Sequence, residues 1–269
     1  MRSFLIILIL SIGFSAKAQV DSVFRFESEF GNEIIDFNVD NLGNLYIVGK
    51  NLQLKKIAPN GDSIAVFNAM KRYGQLYSID VTNPLKILLY YKDFGTVLSL
   101  DRFLSIRNTL DLRKQNLFQV KAVGLAYDNN IWVFDEVEGK LKRISEDGKV
   151  IEQSTEFRLL FDSLPSPEFI SDQDGLVYLY DKQKGAYIFD YYGALKNKIA
   201  VTGWSDFTIA AKAMYGRKES SLMKYEPGTL DLREVKMPPA LLDATRIRIA
   251  NNKVYVLKNG MIRVFATSR

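Results

Sequence analysis

The chain contains no cysteine and no histidine. Disulfides, thiolate nucleophiles, zinc sites built on imidazole or thiolate, and every Ser-His-Asp or Cys-His relay are excluded by that inventory alone. Proline is scarce, at seven residues, and no Pro- or Ser-rich linker divides the 269 residues. A dominant charge is missing too, since 36 Lys and Arg stand against 31 Asp and Glu. The densest basic cluster, Lys212, Arg217 and Lys218, runs straight into Glu219, whereas phosphate backbones need basic residues gathered on one face. Nucleic acid is therefore not an expected partner. Nor is there a run that spans a bilayer, which takes ~20 apolar residues; the longest, Phe4 to Phe14, is interrupted by Ser11 and Gly13.

That short run is the first positive signal. Met1-Arg2 precedes it and Ala16-Lys17-Ala18 follows, the charged start, apolar middle and small-x-small end of a secretory leader. The expectation is a signal peptide over residues 1–18, cut before Gln19, with residues 19–269 forming one exported domain, periplasmic or secreted. No cysteine stands at the cut, so a bacterial lipid anchor is not expected. Loss of Arg2 and Lys17 lowers the formal charge from +5 to +3, a matter of solubility. With 47% apolar residues and 12% aromatics over the whole sequence, the make-up is that of a folded globular chain.

A short apolar strand recurs about every 40 residues. Its copies are Leu45 to Val48, Ile87 to Tyr90, Ile131 to Phe134, Val177 to Tyr180, Ala213 to Tyr215 and Val254 to Leu257, the fifth being the weakest. Each is preceded by a strand and polar turn, as in Ile34 to Val39 before Asp40-Asn41-Leu42-Gly43-Asn44, and followed by a third strand, as in Leu54 to Ile57. Asx-Gly pairs then lead into a fourth, as in Asn60-Gly61 before Ser63 to Phe67. Asn and Gly at such places permit the positive φ of hairpin turns. Four antiparallel strands per unit is the period of a propeller blade. Six units are countable and the last has only three strands, while Ser22 to Glu27 is left over at the other end. The prediction is an all-β, six-bladed propeller whose N-terminal strand completes the last blade.

Asp40 to Val48 and Asp172 to Tyr178 resemble the Asp-x-x-Gly-Asn turn and Tyr-containing strand of six-bladed propellers of the NHL and TolB-like type. The leader resembles those of Bacteroidetes-like bacteria. The propeller resemblance implies a fold without transferring an activity.

In such a ring, the loops leaving the second strands open on one face around the channel. Tyr91, Lys92, Asp135, Asp181, Arg217 and Lys258 fall there and are the candidate binding residues; the alternative is solvated loop ends. No catalytic or metal residue and no cofactor is expected. Asp172-x-Asp174-Gly175 starts like a calcium loop, but an apolar strand follows where further ligands are required, which favours a hairpin turn. Trp132 and Tyr178 fit packing between blades, and Tyr192 beside Gly193 is a candidate exposed residue. Leu159, Leu160, Phe161, Leu241 and Leu242 either cap the ring or form a partner patch. The function expected is a non-catalytic scaffold for a protein partner in the cell envelope, with an accessory role in a type IX-like outer-membrane secretion machine as the specific form by analogy. The alternatives are a calcium-dependent lactonase or hydrolase, whose ion Asp135 and Asp181 would help to hold, and a module binding a glycan or peptide.

Overall fold

The structure, a computed structural model, describes residues 24–267; the expected leader lies outside them. Six four-stranded antiparallel sheets follow one another around a ring. Blade 6 holds both ends of the described residues, with β1 (Phe24–Phe30) at its outer edge. Blade 1 is β2 (Ile34–Val39), β3 (Leu45–Gly49), β4 (Leu54–Ile57) and β5 (Ser63–Phe67). Blade 2 is β6 (Ser78–Asn83), β7 (Lys86–Tyr91), β8 (Thr96–Asp101) and β9 (Ile106–Asp111), and blade 3 is β10 (Val120–Leu125), β11 (Ile131–Asp135), β12 (Lys140–Ile144) and β13 (Val150–Gln153). Blade 4 comprises β14 (Phe169–Gln173), β15 (Leu176–Asp181), β16 (Gly185–Phe189) and β17 (Leu195–Ile199). Blade 5 comprises β18 (Ser205–Ala210), β19 (Ala213–Lys218), β20 (Ser221–Glu226) and β21 (Asp231–Lys236). The inner strands of blade 6 are β22 (Arg246–Ala250), β23 (Lys253–Lys258) and β24 (Met261–Thr267).

The ring closes as the sequence predicts. β1 pairs antiparallel with β24, Phe24 opposite Thr267 and Phe30 opposite Ile262, with one irregularity between Phe26 and Ser28. The edge of the last blade is thereby occupied.

The turn motif has a physical basis. Asp40 is buried, and its carboxylate accepts the N–H groups of Leu42 and Asn44, both at 2.9 Å, the Asn44 amide at 2.8 Å and the Tyr46 hydroxyl at 3.1 Å. The motif thus ties a turn to the strand that follows it. Between adjacent blades, large side chains form a separate apolar cluster at each of the six interfaces. Trp132 is buried between blades 3 and 4, and Tyr178 between blades 4 and 5. The fifth unit is weak in sequence partly because it yields space to Trp204. A Cβ on Gly216 would lie 2.8 Å from that side chain.

The expected choice between cap and patch divides by residue. In the 3-10 turn at Phe157–Leu159, Phe157 is buried against Phe134 and Phe189, and Phe161 packs onto it. Leu241 is buried and Leu242 is packed against the cluster between blades 5 and 6. Leu159 and Leu160 stay exposed. No helix among the described residues is long and apolar enough to cross a membrane.

Candidate functional site

The alternation of strands puts two kinds of link on opposite faces. Links between second and third strands, and between blades, lie on what we call the upper face; turns joining first to second and third to fourth strands lie on the lower face. Five of the six candidate residues at the upper ends of the second strands are engaged inside the protein. Asp135 is buried and accepts Lys142 Nζ at 2.7 Å and the N–H groups of Val137 and Glu138. Asp181 accepts the N–H groups of Gln183, Lys184 and Ser166. Arg217 pairs with Asp206 at 2.9 Å and donates to the Ala244 carbonyl, and Lys258 donates to the Leu242 carbonyl at 2.7 Å. Tyr91 is buried beside Tyr73, with its hydroxyl unbonded and its pKa pushed up by burial. Lys92 alone is exposed, its Nζ 5.1 Å from the centre of the Tyr77 ring. The six therefore do not form one ring of ligands.

Lys92 instead borders a cavity of about 890 Å³ at the upper mouth between blades 1 and 2. Ile35, Val48, Leu52, Met70 and Tyr77 give it apolar walls, and Lys71, Lys92, Arg246, Asp36 and Asp93 its charges. Burial raises the pKa of Tyr77, and the acidic Glu168 and Glu136 add to the effect. Most of these residues were not foreseen. They come from the first strands of blades 1 and 6, from the link between blades 1 and 2 and from positive-φ Leu52, and the repeat marks no binding role at any of them.

A second cavity of about 1020 Å³ follows the central channel and reaches between blades 5 and 6. Polar side chains of the inner strands bridge neighbouring blades around it. Asn38 donates to the Ile79 carbonyl at 2.7 Å, Asp80 accepts Leu125 N–H at 2.7 Å, and Gln173 donates to the Ile209 carbonyl. Arg246 pairs with Asp36 at 2.6 Å. Asp172 accepts Trp132 Nε1 at 2.8 Å and the Tyr127 N–H at 3.1 Å, while its other oxygen is buried without a partner. Burial raises the pKa of Asp80 and of Asp172. Asp174 and Gly175, both at positive φ, close the hairpin between β14 and β15. Among the described residues no three Asp or Glu side chains gather as a metal ion would require.

The lower face has a regular feature that the repeat did not reveal. Asp40, Asn83, Asp101 and Asp190 each accept the N–H of the residue two places on. Those residues are Leu42, Leu85, Phe103 and Tyr192, exposed by 65%, 63%, 55% and 76%. The hydrogen bond uses main chain, so it places no demand on the side chain at the tip. Asn60 and Asp128 make the same bond to Asp62 and Asn130, which are polar.

Neither a protein-family model nor a curated protein matches the chain. Solved structures do match. A catalytically inactive virginiamycin B lyase from Staphylococcus aureus, with quinupristin, is 13% identical at a TM-score of 0.59, over 90% of this chain and 88% of that one. The WD40 domain of Neurospora crassa Pan2 is 9% identical at a TM-score of 0.59, over 88% and 90%. PorZ, an essential bacterial surface component of the type-IX secretion system of Porphyromonas gingivalis, is 12% identical at a TM-score of 0.58; the match covers 88% of this chain and 32% of PorZ. At these identities the likeness is one of fold.

Proposed function

We propose that the protein is a non-catalytic scaffold of the bacterial cell envelope that docks a protein partner on its lower face. The observation that carries this reading is the set of four Asx-bonded turn tips bearing Leu42, Leu85, Phe103 and Tyr192. Apolar side chains at exposed turn tips that do not require them are candidates for contact with another molecule. The leader-like pattern of residues 1–18 supports a periplasmic or secreted location, and similarity to PorZ supports an accessory place in a type IX-like secretion machine. Against lyase chemistry stands the inventory. The inactive lyase noted above carries a histidine-to-alanine substitution, and this chain has no histidine to supply such a group.

The test is affinity purification of the tagged protein from solubilised envelopes, beside a variant carrying Leu42→Ser, Leu85→Ser, Phe103→Ser and Tyr192→Ser. A stoichiometric partner is expected with the first and lost with the second, at unchanged thermal stability. Recovery of no stoichiometric partner, or equal recovery by both proteins, would overturn the reading.

A further inference from the structure

The upper-mouth cavity differs from the channel in having unused groups of two complementary kinds. Its floor is apolar, with Val48 and Met70 buried and Ile35, Leu52 and Tyr77 left exposed along the walls. Its charges do not cancel. Arg246 and Asp36 are paired with one another at 2.6 Å, while Lys71 and Lys92 make no ion pair among the described residues; Asp93 is the other acid of the lining, and Glu136 and Glu168 act on Tyr77 from beyond it. The third feature is main-chain. The 3-10 turn Met70–Tyr73 ends at Gly74, whose φ of 86° turns the chain out of it. The N–H groups of Gly74, Gln75 and Leu76 then have no hydrogen-bond partner among the described residues, until Tyr77 N–H reaches the Tyr90 carbonyl at 2.8 Å. Residues 74 to 76 with their unbonded amides, two lysines without an ion-pair partner and an apolar floor line one concavity of about 890 Å³, inside the size range of binding pockets, ~300–1,000 Å³.

We propose that this cavity is a peptide site, on the face opposite the lower turns, for an extended partner segment in which a carboxylate adjoins an aliphatic or aromatic side chain. Lys71, Lys92 and the amides of residues 74 to 76 receive the carboxylate or a neighbouring carbonyl. Ile35, Leu52 and Met70 receive the apolar side chain. Ammonium groups and unbonded N–H donors disfavour a cationic occupant. A peptide segment brings main-chain carbonyls for these unbonded amides as well as a carboxylate, which a small organic acid does not. The carboxylate is either an acidic side chain or a free C-terminus.

Selection from two random-peptide display libraries separates these, one presenting free C-termini and the other peptides tethered at both ends. Enriched sequences are expected to place Asp, Glu or the terminal carboxylate next to Leu, Ile or Phe. Enrichment in the free-terminus library alone assigns the terminus; enrichment in both assigns the side chain. Synthetic copies measured by fluorescence anisotropy should bind the double variant Lys71→Gln, Lys92→Gln about tenfold more weakly. Leu52→Asp should weaken binding comparably, and Asp tolerates the positive φ at that position. No enrichment, enrichment of cationic or wholly apolar peptides, or affinities unchanged in both variants would overturn the proposal. Unchanged thermal unfolding of the variants separates a lost contact from a lost fold. Peptide binding that persists when no lower-face partner is found would sink the scaffold reading and leave this one standing.

Discussion

At the scale of single residues, the channel shows how burial sets the cost of a charge. Asp172 holds the Trp132 indole and the Tyr127 N–H through one oxygen and leaves the other buried without a partner. Burial raises its pKa, the indole bond opposing. The folded state therefore binds a proton more readily than the unfolded chain. Such a group reduces stability above its folded pKa, and the deficit disappears as pH falls towards the unfolded value, near 3.8. An asparagine keeps the acceptor for both N–H groups and removes the charge. Asp172→Asn is therefore expected to match or exceed the wild type in urea unfolding at pH 7.5, with its relative advantage shrinking at pH 4.5. An advantage that grows on acidification would contradict this assignment.

At the scale of elements, the links between blades are part of the core. The turn at Phe157–Leu159 inserts Phe157 between blades 3 and 4, 5.1 Å from Phe134 and 5.2 Å from Phe189, ring centre to ring centre. Phe157→Ala empties a fully buried site and is expected to cost about 3–5 kcal/mol in chemical unfolding. A cost below about 1 kcal/mol would show that the link is peripheral. The inner strands are equally specific. β10 passes so close to β14 that a Cβ on Gly124 would lie 2.9 Å from the Ile170 carbonyl oxygen. Sequence periodicity located these strands, but it did not reveal which polar inner-strand residues bridge blades, because each bridge is made to a residue at least 36 positions away.

At the scale of the whole molecule, closure joins the two ends of the described chain in one sheet. Removing Phe24–Phe30 leaves β24 as an unpaired edge and uncovers apolar side chains on both sides of blade 6. The truncated protein is expected to lose its single cooperative unfolding transition and to self-associate, as followed by light scattering after gel filtration. A monodisperse monomer of wild-type stability would refute the closure. The lactonase alternative can be tested in the same way. A resident calcium ion stabilises the state that binds it, so a scaffold without one should show the same melting temperature before and after EDTA, and a fall would revive that alternative.

The repeat was legible because strand alternation and turn chemistry are local: Asp40 to Tyr46 carries its own hydrogen bonds within seven residues. From these came the six blades, the four strands in each and the pairing of the two ends. The roles of the loop residues were not local. Asp135 and Asp181 were candidates for an open mouth, yet nearby main-chain N–H groups, Lys142 and Ser166 hold them inside. Whether a polar side chain at the end of a strand is free to meet a ligand depends on what folds over it. The upper cavity likewise gathers Ile35, Lys71, Lys92 and Arg246 from three blades and their links, and only the curvature of the ring brings those residues together.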